Sequence, residues 1–234
     1  SSSGVGFWGA IGRIVRCREG AGQGTNDAAR VRRRRLTPRL DAEVLLAELA
    51  GLDRAALIAD RELILEPAAA RAYSEAVRRR LRREPVAYIL GRKGFRHIDL
   101  AVDRRVLVPR PETEMLVELA REVNPDTVLE VGTGSGAIAL AVADELAACQ
   151  VTATDVSDGA LEVAIANAGR LGLGERVRFI LGSLPEGPAG FDLILANLPY
   201  VPDSDGLPPE VGQWEPAGAL FGGPDGTRVI AEVL

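Results

Sequence analysis

Residues 127–136, Thr127-Val128-Leu129-Glu130-Val131-Gly132-Thr133-Gly134-Ser135-Gly136, read as a short strand that runs straight into a glycine loop. A helical stretch follows at about 137–147. Strand, glycine loop and helix form the context that a nucleotide-type binding turn requires. The glycines let the backbone turn sharply and let a ligand come close. Asp155 closes the next strand, 23 residues after Gly132. An acid at that place can accept hydrogen bonds from ribose hydroxyls. The pair leaves two ligand classes open, a dinucleotide or S-adenosylmethionine.

Outward from this point the pattern alternates. A helix is expected over about 111–123 and another over about 158–171, with strands at 150–154, 176–181 and 191–196. Such an order implies an α/β fold, a mainly parallel sheet with helices on its faces. Upstream the periodicity is helical. Thr37-Pro38 suits a helix start, and Ala42, Leu45, Leu46 and Leu49 fall on one face. A second helix reads from Pro67 to about Arg83, striped by Ala70, Tyr73, Val77 and Leu81. Val86-Ala87-Tyr88-Ile89-Leu90 and Leu100-Ala101-Val102 read as short strands of a hairpin-like linker. The expected organisation is a basic, poorly ordered tail over 1–36, a helical bundle over 37–84, a β linker over 85–110 and the α/β domain over 111–234.

The 234 residues are 47% hydrophobic and 26% charged, a globular composition that excludes a wholly disordered chain. The net charge of −5 hides a dipole. Residues 1–110 hold 23 basic and 13 acidic side chains, whereas 111–234 hold 5 and 20. The basic half could face nucleic acid, though an Arg-rich helix face is more often simply solvated. Two distant cysteines, Cys17 and Cys149, give neither a disulfide framework nor zinc spacing. One histidine, His97, excludes a His-based metal cage and reads as a surface residue. No apolar run is long enough to cross a membrane, and the charge order of the first residues does not suit a signal peptide. A reducing cytoplasm is the expected compartment.

The strand at 191–196 ends in Asn197-Leu198-Pro199-Tyr200. In an open α/β sheet, ligands lie beyond the carboxyl ends of the strands, which puts Asn197 beside the glycine loop. The tight G-x-G-x-G spacing with Glu130 ahead of it is similar to the methyltransferase loop. Asn197-Leu198-Pro199-Tyr200 resembles the (Asn/Asp)-Pro-Pro-(Tyr/Phe) motif of methyltransferases acting on planar, conjugated nitrogens. The chemistry of that motif is readable. A conjugated nitrogen is a weak nucleophile because its lone pair is delocalised. An Asn side-chain oxygen and the carbonyl of the next residue can accept both of its N–H bonds. That aligns the nitrogen with the methyl donor and favours the charge developing on it. Tyr200 can stack on the planar group and lie near the cationic donor. Leu198 stands where the motif has its first proline, and its backbone carbonyl serves equally.

Further stretches carry a fuller resemblance. Pro85-Val86-Ala87-Tyr88-Ile89-Leu90-Gly91, Val108-Pro109-Arg110-Pro111-Glu112-Thr113-Glu114, Glu215-Pro216-Ala217-Gly218-Ala219-Leu220-Phe221-Gly222-Gly223-Pro224-Asp225-Gly226 and the helical Leu40-Asp41-Ala42-Glu43-Val44-Leu45-Leu46 resemble the release-factor glutamine methyltransferases (the HemK/PrmC family) over about residues 37–234. The resemblance implies a Rossmann-like class I methyltransferase domain after a small helical bundle. It implies methyl transfer from S-adenosyl-L-methionine to the side-chain amide of the glutamine in the Gly-Gly-Gln motif of peptide chain release factors. Asn197 would hold the amide and also touch the cofactor, with Leu198, Pro199 and Tyr200 shaping the pocket. Glu130, Gly132, Thr133, Gly134 and Gly136 would form the cofactor loop, and Asp155 would hold the ribose. Ser183, in Gly182-Ser183-Leu184 where the family has Gly-Asp-aromatic, would meet the adenine edge. Arg110, Pro111 and Glu112 would lie near the cofactor and substrate site, and Glu215-Pro216 would brace the catalytic loop and the substrate entrance. Proton loss after transfer needs no dedicated base. The helical bundle would dock the protein substrate, its positive charge steering an acidic surface. A complete domain of this kind continues through three more strands, so the sequence reads as truncated after Leu234. The other readings are a nucleic-acid amine methyltransferase (DNA adenine or ribosomal RNA guanine), an NAD-dependent oxidoreductase, and an inactive fragment that only binds a partner.

Overall fold

Four parallel strands carry the glycine loop at one end of their sheet. The computed structural model describes residues 38–53, 55, 57, 65–184 and 190–233. The Thr37 cap and the expected tail over 1–36 lie outside the described residues. The chain divides into two compact units with the break between Arg78 and Arg79.

In the first unit, α1 spans Pro38–Ala50 and buries Leu45 and Ala47. The stripe expected there is only partly sealed, since Ala42, Leu46 and Leu49 remain half-buried. Helix α2 spans Pro67–Leu81, running past the break at Arg78, and buries Tyr73 and Ala76. Leu81, expected on that stripe, is 61% exposed. It is the last helical residue, and the chain leaves the helix through Arg83 at φ 69°.

In the second unit, Val86–Leu90 is a helix, α3, not a strand. A five-residue apolar run between a proline and a glycine has no periodicity that separates the two. Tertiary contacts decide it. Arg79 donates to the Tyr88 and Ile89 carbonyls, and Gly91 ends the helix at φ 69°. Arg79 also grips Glu84 with two bonds of 2.6 and 2.8 Å, which hold the Glu84 carboxyl below its usual range. Strands β1 (Arg92–Phe95) and β2 (Ile98–Ala101) then form an antiparallel hairpin, pairing Phe95 with Ile98. Arg96, in its turn, clasps Glu145 at 2.8 Å and Glu118 at 3.0 Å. The hairpin is no detached linker, because Phe95, Ile98, Leu100, Val102, Val106 and Val108 belong to the main core.

A 3-10 turn at Pro111–Thr113 leads into α4 (Glu114–Val123). There follow β3 (Thr127–Val131), α5 (Ala137–Glu145), β4 (Gln150–Asp155), α6 (Asp158–Leu171), β5 (Val177–Leu181) and β6 (Leu193–Ala196). The sheet order is β5-β4-β3-β6, all parallel. Its strands and helices match the alternation read from the sequence. Every residue of Ala137–Ala143 is buried, so α5 is the central packing helix. Its alanines let the backbone lie close to the sheet. Two short elements close the described chain, α7 (Pro209–Gly212) and α8 (Arg228–Val233), with a 3-10 turn at Ala217–Ala219 between them.

Candidate active site

The parallel register brings the strand ends level. Val131 pairs with Thr154 on one side and with Ala196 on the other, so the glycine loop, Asp155 and Asn197 all emerge at the carboxyl edge. The loop itself turns on three left-handed glycines, Gly132, Gly134 and Gly136, at φ 77°, 57° and 83°. Gly136 is also pressed from inside. A Cβ there would sit 2.8 Å from Leu140 Cδ1 and 3.3 Å from Ala164 Cβ.

Buried polar groups hold the loop in shape. The Gly132 and Thr133 N–H groups both donate to the Thr154 carbonyl at 2.9 Å. Glu130 lies beneath the loop, 1% exposed. Its Oε2 accepts from the Thr133 hydroxyl at 2.6 Å and from the Ala139 N–H at 2.9 Å, joining the loop to the start of α5. Its role in this geometry is to shape the loop from inside. Asn167, fully buried on α6, was not singled out by the sequence. Its Nδ2 donates to the carbonyls of Ser135 and Ala101, and its Oδ1 accepts from Ala101 N–H. A polar residue among the alanines of a helix is the signal that could have found it.

Burial pushes the Glu130 carboxyl up to about 8, and the Asp155 charge adds to the rise. The Thr133 and Ala139 bonds pull the other way without cancelling it. Between the ordinary carboxylate range and pH 8, the folded chain therefore holds a proton that the unfolded chain has lost. Stability falls as pH rises through that window. A Glu130→Gln variant is expected to lose this dependence. Urea unfolding at pH 5, 6.5 and 8.5 checks it, and equal pH dependence in both proteins would refute it.

Asp155 accepts from Gly134 N–H at 2.8 Å through Oδ2 and from Ser157 N–H at 2.9 Å through Oδ1. A carboxylate has about four acceptor sites, so room is left for a diol. Ser183 is exposed beside them, its carbonyl taking the Thr154 hydroxyl at 2.8 Å. Gly134 has open space where a side chain would stand. The loop and the acid thus fit a ribose-bearing ligand that lies along the backbone.

The catalytic-loop candidates sit against this cradle. A Cβ at Gly132 would lie 3.4 Å from Leu198 Cδ2, so the two loops touch. Asn197 is half-buried and donates its Nδ2 to the Thr113 hydroxyl at 3.2 Å. Among the described residues, no donor reaches Asn197 Oδ1 or the Leu198 carbonyl. Pro199 is half-buried, and Tyr200 is 66% exposed. Arg110 donates to Glu215 Oε1 at 2.6 Å, while Glu215 Oε2 accepts from Val108 N–H at 3.2 Å. The Glu215 side chain is 2% exposed, which makes it a brace between two segments. Glu112 is exposed on the 3-10 turn. Pro199, Tyr200 and Val201 are held from behind by Gly222 and Gly226, and Val201 forms a parallel bridge with Phe221.

The arginine-rich stretch is engaged in ion pairs. Arg80 and Arg83 both reach Glu210, at 3.5 and 2.8 Å, in addition to the Arg79–Glu84 pair. Among the described residues, no group of His, Cys, Asp and Glu is placed to hold a metal, and no helix is long and apolar enough to cross a membrane. His97 is exposed, and Cys149 is a buried free thiol.

A family described as the PrmC N-terminal domain matches residues 28–91, and one described as a methyltransferase domain matches residues 128–207. A release factor glutamine methyltransferase of Rhodopirellula baltica is 44% identical over 212 residues, covering 85% of this chain and 71% of that protein. One of Geobacter sulfurreducens is 44% identical over 194 residues, covering 80% and 68%. Among solved structures, an O-methyltransferase of Streptomyces achromogenes in complex with SAM is similar at 21% identity and a TM-score of 0.35, over 41% of this chain and 47% of that one. The parallel sheet, its glycine loop and the matched domain define a Rossmann-like methyltransferase that uses S-adenosylmethionine. With its N-terminal match and relatives of this identity, the chain belongs to the release factor glutamine methyltransferase family.

Proposed function

We propose that this chain methylates the side-chain amide nitrogen of the glutamine in the Gly-Gly-Gln motif of peptide chain release factors. The observation that supports it is the state of the Asn197-Leu198 acceptors. Asn197 Nδ2 is committed to Thr113, which leaves Asn197 Oδ1 and the Leu198 carbonyl as two neighbouring acceptors. A primary amide offers two N–H donors on one planar nitrogen. Accepting both holds that nitrogen in one orientation and favours positive charge growing on it.

The other roles follow from position. Bound S-adenosylmethionine supplies an electrophilic methyl group carried on a sulfonium. Gly132, Thr133, Gly134 and Gly136 would lie along its methionine part, with Glu130 shaping their loop. Asp155 would take the ribose hydroxyls and Ser183 the adenine edge. Tyr200 and Pro199 would flank the glutamine amide. Arg110, Glu112 and Glu215 border the segment that leads to it, Arg110 and Glu215 through their mutual pair. Once methylated, the nitrogen carries an acidic proton that water can take, so no side chain is assigned as base. The helical segment before the domain is the proposed docking element for the protein substrate, with Arg71 and Arg78 exposed on it. The reducing cytoplasm is the proposed compartment.

Labelled S-adenosylmethionine tests the proposal. Release factor, its Gly-Gly-Gln variant with Gln→Ala, DNA and RNA are offered to the chain in parallel. Label on the unaltered release factor alone is expected. Label on nucleic acid, or on the Gln→Ala factor equally, would overturn the assignment.

A further inference from the structure

The Asn197 carboxamide has two ends of nearly equal size and opposite hydrogen-bonding character. Its role as an acceptor of N–H groups requires the oxygen, not the NH2, to face the substrate. An unheld carboxamide turned by half a rotation would present donors to donors. Something must therefore hold the nitrogen end.

Thr113 is placed to do so. Its hydroxyl oxygen accepts from Asn197 Nδ2 at 3.2 Å across 84 residues of sequence. Its own position is set locally. Pro111 starts the 3-10 turn, and the Thr113 N–H closes that turn on the Arg110 carbonyl at 3.0 Å. Arg110 is in turn locked on the buried Glu215 at 2.6 Å. The turn that presents the hydroxyl is thus pinned to a segment beyond the catalytic loop, while the hydroxyl holds the loop's first residue.

We infer that Thr113 is a positioning residue that fixes the end of the Asn197 carboxamide presented to the substrate amide. It acts through Asn197 and need touch neither substrate nor cofactor. The inference rests on the methyl-transfer reading for its catalytic consequence, but its structural content stands alone. Thr113→Val keeps the shape and removes the acceptor. Thr113→Ser keeps the acceptor and serves as the rescue.

Two measurements on the full chain decide the matter. The first is solvent exchange of the Asn197 Nδ2 protons by nitrogen-15 NMR, the signal being assigned by its loss in Asn197→Asp. Exchange is expected to quicken severalfold in Thr113→Val and to return in Thr113→Ser. The second is kinetics on release factor. In Thr113→Val, kcat is expected to fall about tenfold, the rate equivalent of one lost hydrogen bond, with cofactor affinity unchanged. Thr113→Ser should recover most of that loss. Unchanged exchange in Thr113→Val overturns the inference whatever the substrate proves to be. Quickened exchange with no effect on kcat overturns its catalytic part. A wild-type chain that labels no release factor glutamine refutes the functional proposal instead, and the exchange comparison still settles Thr113.

Discussion

Asn197→Ala is expected to lower kcat for release factor by about 10²–10³-fold while leaving cofactor binding within twofold of the wild type, the range seen when one preorganised polar group is lost from a reacting centre. The side chain stands at the end of β6, half-buried, with its nitrogen already bonded to Thr113. In the proposed role its oxygen orients the substrate nitrogen and binds it more strongly as positive charge grows there, so most of the loss is expected on the transition state and in kcat. The glycine loop and Asp155 make no hydrogen bond to Asn197, which is why the cofactor site is expected to survive. Single-turnover methyl transfer, with calorimetric titration of S-adenosylmethionine, gives both quantities. A fall in cofactor affinity equal to the fall in rate would show that Asn197 is a cofactor ligand alone.

Gly222→Ala is the second large effect expected. A Cβ on Gly222 would strike the Gly226 carbonyl oxygen, lie 2.6 Å from the Pro199 carbonyl oxygen and lie 2.9 Å from the Gly226 carbonyl carbon. All three are backbone atoms, so no side chain can swing aside. Either the catalytic loop or the Gly222–Gly226 turn must move. Overpacking of this kind costs roughly 1–3 kcal/mol. In a chain of this size each kcal/mol lowers the melting temperature by roughly 2–4 °C. A melting temperature lower by roughly 2–12 °C and a loss of more than tenfold in kcat are therefore expected. Gly218→Ala is the control, since nothing lies within 4 Å of its added Cβ. Equal behaviour of the two variants would refute the close packing behind the loop.

The legible parts were those whose meaning is local. The strand into Gly132, the acid at Asp155 and the Asn197-Pro199 strand end all declare themselves by order and spacing, and the structure brings them to one edge. The apolar run Val86–Leu90 misled because five residues cannot show a period, and its helix is decided by Arg79 from outside the run. Asn167 and Thr113 were illegible for a related reason. Each is an ordinary polar residue in its own segment and gains a role through distant partners, 32 and 66 residues away for Asn167 and 84 for Thr113. Glu130 could be read as part of the loop, but its burial beneath it could not. The partners of Arg79, Arg80 and Arg83, which are Glu84 and Glu210, could not be read from the basic composition of residues 1–110.

Leu198 in place of a proline changes where the catalytic loop keeps its memory of shape. Two successive prolines would carry much of that shape in their own rings and could take it with them into another scaffold. Here the curvature is borrowed, from Gly132 on one side and from Gly222 and Gly226 on the other. The motif is therefore not portable. Transplanted without both neighbours it would be a sequence without a conformation, and within this chain the competence of the site and the integrity of its surroundings rise and fall together.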